Sequence, residues 1–340
     1  MKRLYIENKW KLHSAVVSKK VIKKKKKNKQ LIFINLKQLR ESEFITITKN
    51  QALLRAPEKF SIIENAETML SYFKAIDDCV KKNFKSVYLN LSEVNYLTHE
   101  AILYILSRIY YYNHVNKNVR ISGNKPRDEA CKTILEQSGF FKFVYSGRSI
   151  FNIDKNVYTI ESYTHVEPEI AKEVKDFAVD KIKLGHLKNL KPLYATLIEC
   201  MGNTLDHAYK STKRSVTHKW WLMAVNDEHK NEVNYIFLDN GSGIPETIRK
   251  NYKEHILRFL PIFRDIDSQL ILSCLNGEFR TETKAKHRGK GLPSIYKYCK
   301  DNVLKNLKII SRKGYVDCGQ GKVHELQNNF FGTLLTWTIS

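Results

Sequence analysis

The sequence predicts an α/β protein that contains two folded units. Short apolar strand patterns alternate with segments of helical periodicity over residues 45–150, as in a parallel or mixed sheet covered by helices. Further helices, strands and glycine turns follow over residues 151–340. The chain of 340 residues has the length of two domains, and its apolar content of 42% is sufficient for two cores.

Residues 1–44 are predicted to form a basic segment and linker. Residues 1–30 contain 12 Lys and Arg against one acidic residue, a net of +11 out of the +23 of the whole chain. A block of like charges is typical of a solvated tail. It can also bind nucleic acid or acidic membrane lipids without sequence preference, and both interpretations remain open.

The composition predicts a cytoplasmic protein. No run of 18 uncharged apolar residues is present, so we expect no transmembrane helix. The first residues lack the continuous apolar stretch of a signal peptide. Six cysteines are scattered without a Cys-x-x-Cys pair, which favours a reducing compartment and indicates no zinc site.

The unit over residues 45–150 begins its regular pattern after Pro57, where an apolar-periodic segment leads into a helix. The later elements are a strand over residues 86–91, a helix over 99–114, a strand over 119–122 and a helix near 129–138. Because strands alternate with helices, we expect a mainly parallel or mixed sheet here.

The helix predicted over residues 193–209 carries the first candidate functional residues. Its apolar stripe consists of Leu193, Leu197, Cys200, Met201, Leu205 and Ala208. Glu199, Asn203 and His207 are spaced by four and share the adjacent stripe. Glu199 can act as a general base, and the amide oxygen of Asn203 can ligate Mg²⁺. An amphipathic helix with a polar edge is the structural alternative.

A glycine turn follows the next predicted strand, residues 235–238. The strand ends at Asp239, whose carboxylate only accepts hydrogen bonds and therefore suits the exocyclic amine of adenine. Gly241 and Gly243, followed by Ile244, let the backbone approach a flat ring closely. A strand that leaves through an Asx turn is the structural alternative.

A second glycine turn precedes a helix that is predicted to run to about residue 300. Gly289, Lys290, Gly291 and Leu292 follow Arg288. A Gly-x-Gly turn at a helix N-terminus presents backbone N–H groups to phosphate, and the two basic side chains add charged donors. The spacing is not that of a Walker A loop.

The last predicted strand covers residues 331–339, which are β-branched and aromatic. Thr333, after Gly332, can offer its hydroxyl to a base or to a bound water. Upstream, the roughly forty residues between Ile248 and Arg288 contain a predicted helix that ends near Asn276, followed by a polar stretch over 279–288. This insertion is predicted to be a lid that closes over ATP, with the polar stretch as its flexible part, or else a partly ordered surface insertion.

In this order, the four segments resemble the N, G1, G2 and G3 boxes of the GHKL (Bergerat-fold, histidine kinase-like) ATPases. Residues 199–209 are most similar to the anti-sigma-factor serine kinases. The resemblance implies an α/β sandwich over residues 151–340, with a mixed sheet and helices on one face, and it implies ATP and Mg²⁺ as cofactors.

The resemblance also implies a role for each matching residue. Glu199 is the general base, and Asn203 is the Mg²⁺ ligand. The nucleotide-binding set is Asn203, His207, Asp239, Gly241, Gly243, Ile244, Arg288, Gly289, Lys290, Gly291, Leu292 and Thr333. Within it, Asp239 binds the adenine amine, Gly289 and Gly291 lie on the phosphates, and Thr333 lies near the adenine.

Residues 45–150 resemble the STAS domain of anti-sigma-factor antagonists. That family carries a phosphorylated serine in an Asp-Ser-Ser/Thr-Gly turn after a strand. Here the turn reads Thr98-His99-Glu100-Ala101, so the acceptor serine is missing. We therefore expect this unit to have a structural or partner-docking role.

Three functions remain open from the sequence. The first is an ATPase that acts as a regulatory switch coupled to the STAS-like domain. The second is a protein serine/threonine kinase that acts on a separate partner, and it needs the same Glu199. The third is an ATP-gated effector that binds nucleic acid or a membrane through its basic tail. The expected partners are ATP, a protein bound by the STAS-like domain and a second copy in a homodimer.

Overall fold

A computed structural model describes residues 44–48, 51–81, 86–144, 153–182, 190–207, 219–253, 256, 265–279 and 291–340. They form an N-terminal unit (residues 44–144) and a C-terminal unit (residues 153–340), and the predicted α/β class is confirmed. The basic segment over residues 1–43 lies outside the described residues. None of the helices in these ranges is long and apolar enough to cross a membrane.

The N-terminal unit has a mixed sheet, as predicted. Its elements are β1 (Ile45–Thr48), β2 (Gln51–Arg55), β3 (Lys59–Phe60), α1 (Ala66–Lys81), β4 (Ser86–Asn90), β5 (Tyr96–Leu97), α2 (His99–Val115), β6 (Arg120–Gly123), α3 (Glu129–Gln137) and α4 (Phe140–Val144). The sheet order is β1-β2-β4-β6, with β1 antiparallel and the other pairs parallel. The predicted strands and helices of residues 86–138 are confirmed to within about two residues.

The C-terminal unit has a five-stranded sheet in the order β10-β11-β9-β8-β7. Its elements are β7 (Val157–Tyr163), α5 (Pro168–Lys181), α6 (Lys191–His207), β8 (Trp220–Asp227), β9 (Glu232–Asp239), α7 (Ile244–Asn251), α8 (Asp267–Leu275), α9 (Gly291–Lys300), β10 (Lys305–Asp317) and β11 (Lys322–Ile339).

The prediction of a mixed sheet in this unit is wrong, because all four strand pairings are antiparallel. Two helices, α5 and α6, separate β7 from β8. A connection of two helices returns the chain in the opposite direction, whereas parallel neighbours are usually joined by one helix. The other two neighbours in sequence, β8–β9 and β10–β11, are hairpins.

Both faces of the five-stranded sheet are buried. Side chains alternate along each strand, so Phe237 and Leu335 face α5, α6, α8 and α9. Leu238 and Leu334 point the other way, into an apolar core that also contains α1 and α2 of the N-terminal unit. The N-terminal unit therefore covers the face that the helices of the C-terminal unit leave open.

Strand β11 begins nine residues before the predicted strand and contains a bulge. The extra part packs on α1, where the Asn328 amide donates to Ser71 Oγ at 3.0 Å. Ser311 pairs with Thr333, but the next residue, Arg312, pairs with Phe330. Residues 331–332 are therefore left over in the ladder, and we call them the β11 bulge.

Candidate functional site

A cavity of about 920 Å³, including the part open to solvent, lies between the five-stranded sheet and helices α6 to α9. All four predicted segments contribute to its wall. Their lining residues are Asn203, Asp239, Gly243, Ile244, Gly291, Leu292 and Thr333.

Helix α6 presents its first two candidate residues as predicted. Its apolar stripe is buried at Leu193, Leu197, Cys200 and Met201. The side chains of Leu205 and His207 and the whole of Ala208 lie outside the described part of the structure. The polar edge with Glu199 and Asn203 faces the start of α9.

Gly291, the first residue of α9, lies against both polar side chains of α6. A Cβ atom built on Gly291 would stand 2.4 Å from Glu199 Oε2 and 3.2 Å from Asn203 Nδ2. Only glycine brings the N-terminus of α9 this close to the carboxylate. Burial raises the pKa of the Glu199 carboxyl above its usual range, which suits a general base.

Asp239 ends β9 as a buried carboxylate that is 8% exposed. It stands opposite Thr333 in the ladder, and the Thr333 hydroxyl hydrogen-bonds to it. The Gly241 N–H donates to Asp239 Oδ1 at 2.6 Å, so the Asx turn is present as well. Burial raises the pKa of Asp239 to about 6, and the hydrogen bonds from Gly241 and Thr333 oppose this shift.

The carboxylate of Asp239 retains acceptor capacity toward the cavity. An ionised carboxylate offers about four lone-pair sites, and the bonds from Gly241 and Thr333 use two of them. The Asx turn and a ligand contact are therefore compatible. Gly243, with a φ of +88°, brings the backbone to the edge of the same space.

Ser311 on β10 is a site residue that sequence reasoning missed. Its side chain is fully buried, and its Oγ accepts the Ile244 N–H at 2.9 Å. The same Oγ donates to the Gly332 carbonyl at 3.1 Å and lies 3.0 Å from Thr333 Oγ1. Ser311 thus ties the glycine turn after β9 to strand β11. No motif marks it, because its role depends on the bulge.

The outer wall of the cavity comes from α7, α8 and the turns after them, which include part of the insertion predicted as a lid. Helix α8 ends at Leu275, close to the predicted end at Asn276. The lining residues from α7, α8 and the turns after them are Thr247, Ile248, Asn251, Tyr252, Cys274, Gly277 and Phe279. Most of them are apolar, so this wall is mainly hydrophobic.

Of the turn predicted to bind phosphate, the structure describes the last residues, Gly291 and Leu292. Arg288, Gly289 and Lys290 lie outside the described residues, as does most of the polar stretch over 279–288. Gly291 and Leu292 open α9 and line the cavity. Within the described ranges, no group of three or more His, Cys, Asp or Glu side chains could hold a metal ion.

The turn at Thr98 in the N-terminal unit is remote from the cavity. Ser61 Oγ and Thr98 Oγ1 donate to the buried carboxyl of Glu100 at 2.8 and 2.5 Å, and burial raises the pKa of Glu100. The turn opens α2, which packs on the sheet face opposite the cavity. The five-stranded sheet therefore stands between Thr98 and the candidate site.

Comparison of the chain with protein-family models, with curated proteins and with solved structures finds no match. The function is therefore inferred from the motifs and from the geometry of the cavity.

Proposed function

We propose that the protein is a Mg-ATP-binding ATPase of the GHKL type that acts as a regulatory switch coupled to a STAS-like N-terminal unit. One observation carries the proposal. Four segments that are spread over residues 199–333 each place a candidate nucleotide-binding residue on a single cavity. These residues are Asn203, Asp239, Gly291 and Thr333.

The end of the cavity near Asp239 suits a purine base. Phe237, Ile244 and Leu335 offer apolar surface for a flat ring. The buried carboxylate of Asp239 accepts a hydrogen bond from an exocyclic amine, which favours adenine. A ligand that lacks the matching donor gains no hydrogen bond from this carboxylate, so the site favours a base with an exocyclic amine.

The end near Gly291 suits phosphate. Helix α9 begins there, and a helix N-terminus combines free N–H groups with a partial positive charge. The Asn203 amide beside it would hold Mg²⁺, which when bound neutralises phosphate charge. Glu199, which lies with Asn203 against Gly291, accepts the proton of the attacking water or hydroxyl.

The position of the N-terminal unit supports the switch. It shares an apolar core with the sheet that carries Asp239 and Thr333. The Thr98 turn does not face the cavity, because it lies on the opposite face of the sheet and the Thr98 hydroxyl is bonded to Glu100. Transfer of phosphate to this turn within one chain is therefore disfavoured.

A protein kinase that acts on a separate partner is the second candidate. The similarity of residues 199–209 to the anti-sigma-factor serine kinases favours it, and Glu199 would activate a hydroxyl as well as water. Incubation with γ-labelled ATP and a host lysate separates the two. Label on a lysate protein indicates the kinase, whereas label only in free phosphate indicates the ATPase. The ATP-gated effector depends on residues 1–43 and stays a prediction.

Titration calorimetry with Mg-ATP tests the proposal directly. We expect saturable binding to the full chain and loss of binding in Asp239→Ala. In Asn203→Ala, binding should no longer depend on Mg²⁺, as seen by comparing magnesium with a chelator. Asn118→Ala, which changes an exposed asparagine of the N-terminal unit, is the matched control. A folded wild-type chain that does not bind Mg-ATP at millimolar concentration would refute the proposal.

A further inference from the structure

The β11 bulge leaves backbone groups without ladder partners next to the cavity. Phe331 and Gly332 pair with neither β10 nor β9. Side chains hold them instead, one from each side of the sheet. The Phe331 N–H donates to Tyr104 Oη of α2 at 3.2 Å, and Ser311 Oγ donates to the Gly332 carbonyl at 3.1 Å.

Helix α2 also packs against Phe331 of the bulge and against Phe330, the residue before it. The Tyr104 ring stacks on Phe330 with 4.4 Å between ring centroids. One turn later, the Arg108 guanidinium lies 4.1 Å from the centre of the Phe331 ring. Arg108 is 2% exposed and forms an ion pair with Asp77 of α1. A buried guanidinium is costly without partners, and Asp77 and the Phe331 ring are partners of Arg108 here.

The bulge borders directly on Thr333. Thr333 follows it, stands opposite Asp239 and lines the cavity. Residues 333–339 pair with β9 in continuous register, so the bulge lies at the end of the ladder that sets the direction of the Thr333 side chain. The base end of the cavity is therefore adjacent to a backbone irregularity that Tyr104 of the other unit contacts.

We propose that Tyr104 is a positioning residue of the candidate nucleotide site, which it supports from the opposite face of the sheet by holding the β11 bulge. The inference rests on the proposed function of the cavity. It assigns the proposed switch to the contact between Tyr104 and the Phe331 N–H. Through this contact, packing of the N-terminal unit on the sheet and binding of the base are linked. Linkage is reciprocal, so a nucleotide at the base end stabilises the grip of α2 on the bulge.

Tyr104→Phe tests the hydroxyl alone, because it keeps the ring that stacks on Phe330. Tyr96→Phe is the matched control, since it also removes one tyrosine hydrogen bond from the same unit, to Glu64. By titration calorimetry, we expect Tyr104→Phe to bind ADP and ATP about three- to tenfold more weakly, the effect of one hydrogen bond. The loss should be equal for both nucleotides, because the bulge lies at the base end. If Tyr104→Phe instead lost structure in general, its melting temperature would fall well below that of Tyr96→Phe.

Hydrogen exchange gives a readout that does not depend on nucleotide. Amides of residues 330–334 should exchange faster in Tyr104→Phe than in Tyr96→Phe. In the wild type, ADP should slow exchange both there and in residues 99–108. The comparison of the wild type with and without ADP tests the linkage even if Tyr104→Phe does not fold.

The outcomes separate the two proposals. Unchanged ADP and ATP affinities in a folded Tyr104→Phe overturn the positioning role, as does exchange of residues 330–334 equal to that of Tyr96→Phe. ADP binding to the wild type without any change of exchange in residues 99–108 overturns the linkage. A wild type that does not bind nucleotide refutes the proposed function and, with it, the linkage. The hydrogen exchange of residues 330–334 in Tyr104→Phe still tests whether Tyr104 holds the bulge.

Discussion

The backbones of Gly332 and Asp239 are in direct contact. A Cβ atom on Gly332 would lie 1.8 Å from the carbonyl oxygen of Asp239, and the φ of Gly332 is +93°. A backbone carbonyl within a strand cannot move aside as the end of a flexible side chain can. Glycine is therefore required at the point where the bulge meets the backbone of Asp239.

Gly332→Ala is expected to destabilise the protein by more than about 2 kcal/mol, because both the clash and the positive φ oppose it. Urea denaturation measures the change. Gly202→Ala is the matched control, since a Cβ there meets nothing within 4 Å and the residue lies inside α6. It should stabilise the protein by up to about 1 kcal/mol. Equal stability of Gly332→Ala and wild type would contradict the described bulge.

Gly291→Ala is expected to slow ATP hydrolysis without lowering the stability of the fold. Its Cβ would stand 2.4 Å from Glu199 Oε2, the end of a flexible side chain that can rotate away. The melting temperature should stay near that of the wild type, while ATP hydrolysis falls at least about tenfold, because the base is displaced. Phosphate release measures the rate. Hydrolysis at the wild-type rate would show that Glu199 does not act from this position.

Glu199→Gln is expected to bind Mg-ATP but to lose turnover by about 10²–10⁴-fold, because an amide cannot accept the proton. In the wild type, the hydrolysis rate should rise with pH through the pKa of Glu199, which burial raises above 4.5. Glu246→Gln changes an exposed carboxylate in the first turn of α7 and should leave the rate unaltered. Normal turnover in Glu199→Gln would show that Glu199 is not the general base.

Asp239 is expected to make stability depend on pH. Burial raises its pKa from 3.8 to about 6, so the folded protein binds the proton more tightly than the unfolded chain. Its stabilising contribution is complete below pH 3.8 and is lost as the pH rises through about 6. The shift corresponds to about 3 kcal/mol.

Asp239→Asn removes this titration and keeps an acceptor for the Gly241 N–H. Without nucleotide, the variant should be more stable than the wild type above about pH 7, and the difference should vanish near about pH 4. Urea denaturation across this range measures it. A difference that does not change with pH would mean that Asp239 is not the buried titrating group.

The local elements and the four segments of the site were predictable from the sequence. The apolar stripe of α6 is buried, and Glu199 and Asn203 lie together because a spacing of four places them on one side of a helix. The end of β9 at Asp239 and the start of α9 at Gly291 were also expected from local chemistry. Each of these features depends on residues that are close in sequence.

The features that were missed depend on contacts between distant segments. The antiparallel direction of β8 follows from two helices before it, which periodicity alone does not specify. The early start of β11 depends on Glu67 and Ser71 of α1, which bind Gln327 and Asn328 across about 260 positions of sequence. Residues 235–238 were predicted as a strand, but local pattern does not indicate that the N-terminal unit covers one face of its sheet.

The apolar core shared by the two units has a consequence for how the protein unfolds. Tyr72 and Tyr104 belong to the same core as Phe330 and Leu334, so neither unit has a complete interior of its own. We expect one cooperative transition in calorimetry, with calorimetric and van't Hoff enthalpies that agree, rather than two. A chain cut near residue 150 would expose an apolar sheet face and aggregate. The two units can therefore be told apart along the sequence, but we expect them to unfold together.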